Sequence, residues 1–124
     1  MKHHALLKLL PVGLLIFGLA SSAFAQGDYH DRARSIVART DNDLRMISTL
    51  PNVSPKEREL YDKALHHFSD FDKEMARGKY DKGKLDEAIE HLDKIVKENT
   101  LSPDDRDRLM SDLRDLRELR SAWR

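Results

Sequence analysis

The stretch that decides the fold is KLDEAIEHLDKIVKE, from Lys84 to Glu98. Its apolar side chains recur every three or four residues, so at about 100° per residue they lie within roughly one third of a helix circumference. These side chains are Leu85, Ala88, Ile89, Leu92, Ile95 and Val96. The period predicts an amphipathic helix that buries one face. No segment shows the period-two alternation of a β-strand.

Two more helices are predicted on the amino-terminal side of this stretch. The first covers about 28–50 and ends at Pro51, because proline disfavours the helical conformation in the residue before it. Its apolar face consists of Ala33, Ile36, Val37, Thr40, Leu44, Ile47 and Leu50. The second begins at Ser54-Pro55-Lys56-Glu57, where a capping serine, a proline and a glutamate form a helix start. It ends before 77–83, whose two glycines predict a turn.

A fourth helix is predicted from Ser102-Pro103-Asp104-Asp105 onward. Its apolar residues cover about half of the circumference, wider than the usual third. Either this helix lies deepest, with Trp123 closing the open end of the bundle, or a residue at the margin of the stripe, Met110 or Leu119, is exposed on a partner or dimer surface. The candidate partner surface is therefore Met110, Leu119 and Trp123. The charged residues from Asp104 to Arg124 are interpreted as a solvated helix face.

The connections between these four helices are short, which favours antiparallel neighbours. The expected fold class is all-α, a single small up-and-down antiparallel bundle of about four helices over residues 26–124. The chain has no cysteine. Hydrophobic packing or oligomerisation must therefore supply its stability.

The first 25 residues have the pattern of a cleavable signal peptide. Lys2 and Lys8 flank the start, a short apolar run follows, and Ala23-Phe24-Ala25 matches the small-x-small cleavage site. The apolar run is too short to span a bilayer comfortably. We expect a periplasmic or secreted protein with no membrane span after cleavage; an uncleaved anchor is the alternative.

Charge and motif content exclude several function classes. The chain has 22 basic and 22 acidic residues, and loss of Lys2 and Lys8 with the signal leaves 20 against 22. Near-neutral charge argues against a nucleic-acid partner. The sequence has no cysteine nucleophile and no glycine-flanked serine elbow. We therefore expect no enzymatic activity and no cofactor.

Metal binding is the chemistry that the histidines leave open. Asp62, His66 and Asp70 are spaced four apart on the second helix, and Glu87 and His91 have the same spacing on the third. Imidazole and carboxylate groups bind zinc, copper or nickel. The metal candidates are His66, Asp70 and His91. The alternative is a surface ladder in which carboxylates only accept hydrogen bonds from histidines.

One internal repeat links two helix starts. Val53-Ser54-Pro55-Lys56-Glu57-Arg58-Glu59 and Leu101-Ser102-Pro103-Asp104-Asp105-Arg106-Asp107 share an apolar residue, serine, proline, any residue, acid, arginine and acid. This pattern resembles the Leu-Thr-x-x-Gln helix start of the small periplasmic stress chaperones of the Spy and CpxP class. Here serine replaces threonine and an acid replaces glutamine. The resemblance implies a cradle-like surface that holds unfolded exported proteins; a well-capped helix start explains the same residues.

The sequence thus favours a small exported helical protein that binds another exported protein or itself and is not an enzyme. A chaperone-like stress protein and a metal-binding envelope protein are the alternatives.

The signal-peptide hypothesis predicts the mass of the exported protein. If cleavage follows Ala25, intact mass spectrometry of protein recovered outside the cytoplasm gives a chain that begins at Gln26. A full-length mass in the membrane fraction would contradict cleavage.

Overall fold

The structure, a computed structural model, describes residues 29–122 of the 124-residue chain. The predicted signal peptide and Trp123 lie outside the described residues. The chain divides into two units, Met1–Arg32 and Ala33–Arg124. Of the first unit, residues 29–32 are described, and they are helical.

The described chain contains four helices and no strand. We number them α1, helical over 29–48, α2 over Pro55–Ala76, α3 over Lys82–Glu98 and α4 over Pro103–Ser121. The expectation of an all-α helical bundle is confirmed. Between residues 29 and 122, no helix has the length and apolar character needed to cross a membrane.

The two copies of the repeat begin α2 and α4. The Glu57 N–H donates to Ser54 Oγ at 3.1 Å, and the Ser54 N–H donates to Glu57 Oε1 at 3.0 Å. This is a complete capping box. At α4 the Asp105 N–H donates to Ser102 Oγ at 3.1 Å. Both serines are therefore helix N-caps, which confirms the predicted helix starts.

The predicted end of α1 was two residues too long. Helix α1 ends at residue 48, and Leu50, which we placed on its buried face, is 38% exposed. The hydroxyls of Ser48 and Thr49 donate to the carbonyls of Arg45 and Met46, and the Leu50 N–H turns back to Ile47 at 3.1 Å. The last turn therefore tightens before Pro51, and Leu50 leaves the helical face.

The turn between α2 and α3 is shorter than predicted and uses one glycine. Gly78 has a φ of 78° and follows the C-cap Arg77. The Gly78 and Lys79 N–H groups donate to the carbonyls of Met75 and Glu74, both at 2.9 Å, which is the Schellman pattern. Gly83 is helical, because α3 starts two residues earlier than expected, with Asp81 Oδ1 accepting from the Lys84 N–H at 3.1 Å.

The core is formed by the apolar stripes of the helices. Helix α3 packs against both α2 and α4. Its buried residues are Leu85, Ala88, Leu92, Ile95 and Val96. The hydroxyl of Thr40, fully buried in α1, donates to the Ile36 carbonyl at 2.8 Å, so this polar side chain satisfies its donor within its own helix.

Charged side chains pair both between neighbouring helices and within single helices. Across α3 and α4, Asp86 binds Arg120, Asp93 binds Arg117, and the Val96 carbonyl accepts from Arg106. Within helices, Glu59 pairs with Lys63 at 3.3 Å and Asp93 with Lys97 at 2.8 Å. Exposed pairs of this kind each contribute only a few tenths of a kcal/mol.

Glu57 joins the start of α2 to the loop between α3 and α4. Its Oε1 accepts from Ser54 and its Oε2 from the Thr100 N–H, while its carbonyl accepts from Asn99 Nδ2 at 3.4 Å. These backbone hydrogen bonds, from Ser54 and then Thr100, lower the pKa of Glu57. At the second helix start, the side chain of Asp105 accepts no comparable hydrogen bond from another part of the described chain.

This difference between the two helix starts predicts unequal effects of equivalent substitutions. Ser54→Ala and Ser102→Ala each remove one cap and should each lower the free energy of unfolding by about 1 kcal/mol. Glu57→Ala should lower the thermal midpoint more than Asp105→Ala, because it also releases the Thr100 N–H. Urea unfolding followed by circular dichroism measures the free energy of unfolding, and thermal unfolding gives the midpoint. Equal midpoints for Glu57→Ala and Asp105→Ala would show that the loop contact is unimportant.

Candidate functional site

The predicted partner-surface residues have different positions in the structure. Met110 is 50% exposed, whereas Leu119 is 2% exposed and belongs to the core. Leu119 therefore offers no accessible surface to a partner. Trp123 lies outside the described residues. Of the three, Met110 alone is shown to have the exposure that a partner surface requires.

Met110 lies in a groove between α3 and α4, which we call the α3–α4 groove. Its apolar part consists of Val96, Met110 and Leu113, and its charged rim includes Lys97, Arg106, Asp107, Arg114, Arg117 and Glu118. Val96 and Leu113 are almost completely buried. Met110 thus contributes a large unburied apolar side chain to a groove whose rim has both signs of charge.

The histidines of α2 and α3 meet across the two helices. His66 and Asp70 contact each other at 3.4 Å, as the ladder on α2 predicts. Glu87, which the spacing paired with His91, instead lies 3.2 Å from His67 Nδ1. The His67 and His91 rings are 4.2 Å apart between centroids. Sequence spacing could not find this cross-helix contact, because it depends on how α2 and α3 are rotated.

The environment of His91 disfavours its charged form. Burial is the first cause and the neighbouring His67 the second, and together they lower the pKa of His91. Within residues 29–122, no group of three or more metal-binding side chains is arranged to hold an ion. His66, Asp70 and His91 therefore do not come together as one ligand set.

An unexpected cluster of charged residues joins α1 to α4. Arg39 Nε lies 2.8 Å from Asp112 Oδ1, and Arg39 Nη2 lies 2.6 Å from Asp115 Oδ2. Asp112 is 1% exposed, and Asp43 of α1 is 7% exposed. Our interpretation of the charged run in α4 as a solvated face is therefore wrong for Asp112.

The position of Asp112 could have been found on a helical wheel. At about 100° per residue it falls between Leu116 and Leu119, within the apolar stripe of α4. Its burial, followed by a hydrogen bond with Asp43, raises the pKa of Asp112 to about 7. A carboxyl group of this kind can hold or release a proton near neutral pH. It lies in a shallow groove with Arg39, Asp43, Arg108 and Ser111.

Comparison of the chain with protein-family models, with curated proteins and with solved structures gives no match.

The arrangement of the histidines predicts weak metal binding at most. His66 and Asp70 supply two ligands from one exposed turn of α2, half of a tetrahedral shell, and His67 Nδ1 contacts Glu87. Isothermal titration of the chelator-treated protein with zinc should give weak heat or none, and His66→Ala should give the same trace. Tight stoichiometric binding that is lost in His66→Ala or His91→Ala would contradict this prediction.

Proposed function

We propose that this protein is a small exported binding protein, without enzymatic activity, that uses the α3–α4 groove to bind protein. The observation that carries this proposal is the 50% exposure of Met110 beside Val96 and Leu113. Leaving a long apolar side chain in water gives up the stabilisation of burying it, about 1.5–3 kcal/mol for a Met side chain. An apolar residue that remains exposed on a groove is available to a partner.

We propose a second copy of the chain as the partner. In a two-fold dimer the same surface faces itself, so the rim must be able to avoid bringing like charges opposite each other. The groove is lined by the basic residues Lys97, Arg106, Arg114 and Arg117 and by the acidic residues Asp93, Asp107 and Glu118. A rim of mixed sign can satisfy this condition, whereas a rim of one sign would repel itself. Another exported protein is the alternative occupant.

Two further parts of the proposal concern topology and location. An antiparallel up-and-down order of the helices is supported by the pairs of Asp86 with Arg120 and Asp93 with Arg117, in which α3 numbers rise as α4 numbers fall. His67 of α2 contacts Glu87 of α3, so these two helices are neighbours. Export to the periplasm or the medium is supported by the signal-peptide pattern at Ala23-Phe24-Ala25.

A chaperone-like role is the second candidate. The large apolar residues with substantial exposure include Met46 in the last turn of α1, Leu50 just after it, and Met110. Methionine is flexible and polarizable, which suits a surface that accepts varied apolar segments. The resemblance of the Ser54 and Ser102 helix starts to the Spy and CpxP class implies the same activity.

The groove proposal predicts the behaviour of Met110→Asp. Because Met110 is half exposed, the substitution should leave the thermal midpoint nearly unchanged, since surface changes alter the free energy of unfolding by less than about 0.5 kcal/mol. It should shift sedimentation of the purified protein from dimer to monomer over a concentration series. Leu119→Asp, which buries a charge in the core, should unfold the protein instead.

Arg58→Asp on α2 is the matched control, since it adds the same side chain at an exposed position outside the groove. It should leave both the midpoint and the sedimentation unchanged. A wild-type protein that stays monomeric at all concentrations would overturn the dimer proposal. The chaperone-like role would replace the dimer proposal if that monomeric wild type suppressed the aggregation of an unfolding client protein and Met110→Asp did not.

A further inference from the structure

Helices α1 and α4 meet around two carboxyl groups that water hardly reaches. Asp43 and Asp112 line the same groove, and a side-chain hydrogen bond between them is one cause of the raised pKa of Asp112. Arg39 binds Asp112 Oδ1, while the buried Oδ2 has no donor among the described residues. Two carboxylates offer only acceptors, so as a pair of anions they cannot hydrogen-bond to each other. A buried acceptor without a donor is costly.

The charged groups around Asp112 do not supply the missing donor. From α1 it faces Arg39 and Asp43. On α4 itself, Asp115 takes the second nitrogen of Arg39 and also lies 3.8 Å from Arg114 Nε, so Asp112 shares its one bound cation, Arg39, with Asp115. The groove beside Asp112 is also lined by Asp104, Asp107 and Arg108 of α4, and its described lining comes from α1 and α4 alone.

We propose that Asp43 and Asp112 share one proton across the α1–α4 interface, and that this proton is a pH-sensitive clasp that holds α1 on the bundle. The proton resides on Asp112 Oδ2 and is donated to the Asp43 carboxylate, which satisfies both oxygens. When the proton leaves to water, two carboxylates face each other in a buried site, and the cation hydrogen-bonded to Asp112, Arg39, is shared with Asp115. The clasp does not rest on the function proposed for the α3–α4 groove.

The direction of the pH effect follows from the raised pKa of Asp112. The folded protein keeps a proton up to about pH 7, whereas a solvated aspartate loses it near 3.8. The stabilisation is complete below the unfolded value, decreases as pH rises, and is lost above about 7. Across that interval the equilibrium constant for unfolding should rise by up to tenfold for each pH unit.

The test compares the protein produced from the full-length chain with two variants. In Asp43→Asn the amide of the new side chain donates permanently to Asp112, so the proton is no longer needed. Asp115→Asn is the matched control, because it alters a carboxyl bound to Arg39 without touching the Asp43 and Asp112 pair. Urea unfolding is measured from pH 5 to 8 by circular dichroism. The wild type and both variants have the same histidines, so the contribution of the histidines to the pH dependence cancels in the comparison.

We expect the wild type and Asp115→Asn to lose stability steeply as pH rises, and Asp43→Asn to lose little of it. At pH 8, Asp43→Asn should be more stable than the wild type. Equal pH slopes in the wild type and Asp43→Asn, or a folded Asp43→Asn that is less stable at pH 8, would overturn the clasp.

Two measurements on the wild type keep the proposal testable if Asp43→Asn fails to fold. The carboxyl carbon of Asp112, followed by NMR, should titrate with a midpoint near neutral pH; a midpoint below 5 would refute the shared proton. Amide hydrogen exchange, corrected for the intrinsic rate, should accelerate in α1 more than in α3 between pH 6 and 8. Equal acceleration in both helices would refute the link to α1.

Discussion

The structure depends on the burial of the apolar stripe of α3. This helix packs against both α2 and α4, and its residues Leu85, Ala88, Leu92 and Ile95 have no exposed surface. A chain without disulfides gains its stability from removing such side chains from water, at about 25 cal/mol for each Å² of apolar surface. The orientation of α3 in turn determines which faces of α2 and α4 are covered and which side chains remain at the surface.

The polar groups packed among these helices differ in how fully they are hydrogen-bonded. Thr40 satisfies its hydroxyl inside α1, and Glu57 satisfies two backbone donors from separate parts of the chain. The carboxyl of Asp112, in contrast, is buried with one oxygen bound to Arg39 and the other beside another acid. An ordinary structural ion pair would have a donor for each oxygen, which is why this site differs chemically from the exposed pairs along α3 and α4.

The proposed binding surface and the proposed clasp involve opposite sides of α4. Met110 faces the groove shared with α3, whereas Asp112 faces α1. At about 100° per residue these two positions lie about 160° apart around α4, so one helix can face both interfaces. The proposed change in the protonation of Asp112 would therefore alter the contact of α4 with α1. Met110 lies on the face of α4 that lines the groove with α3.

The sequence by itself determined the four helices and the starts of α2 and α4, because these depend on local signals. Ser54 and Ser102 cap backbone donors only three residues away, and the period of the apolar residues does not depend on neighbouring helices. Tertiary structure decided that Met110 is exposed while Leu119 is buried, that Glu87 contacts His67 and not its own neighbour His91, and that Asp43 meets Asp112. The reason is geometric: these contacts join residues of different helices, so they depend on how each helix is rotated about its axis, and spacing along one helix contains no information on that rotation.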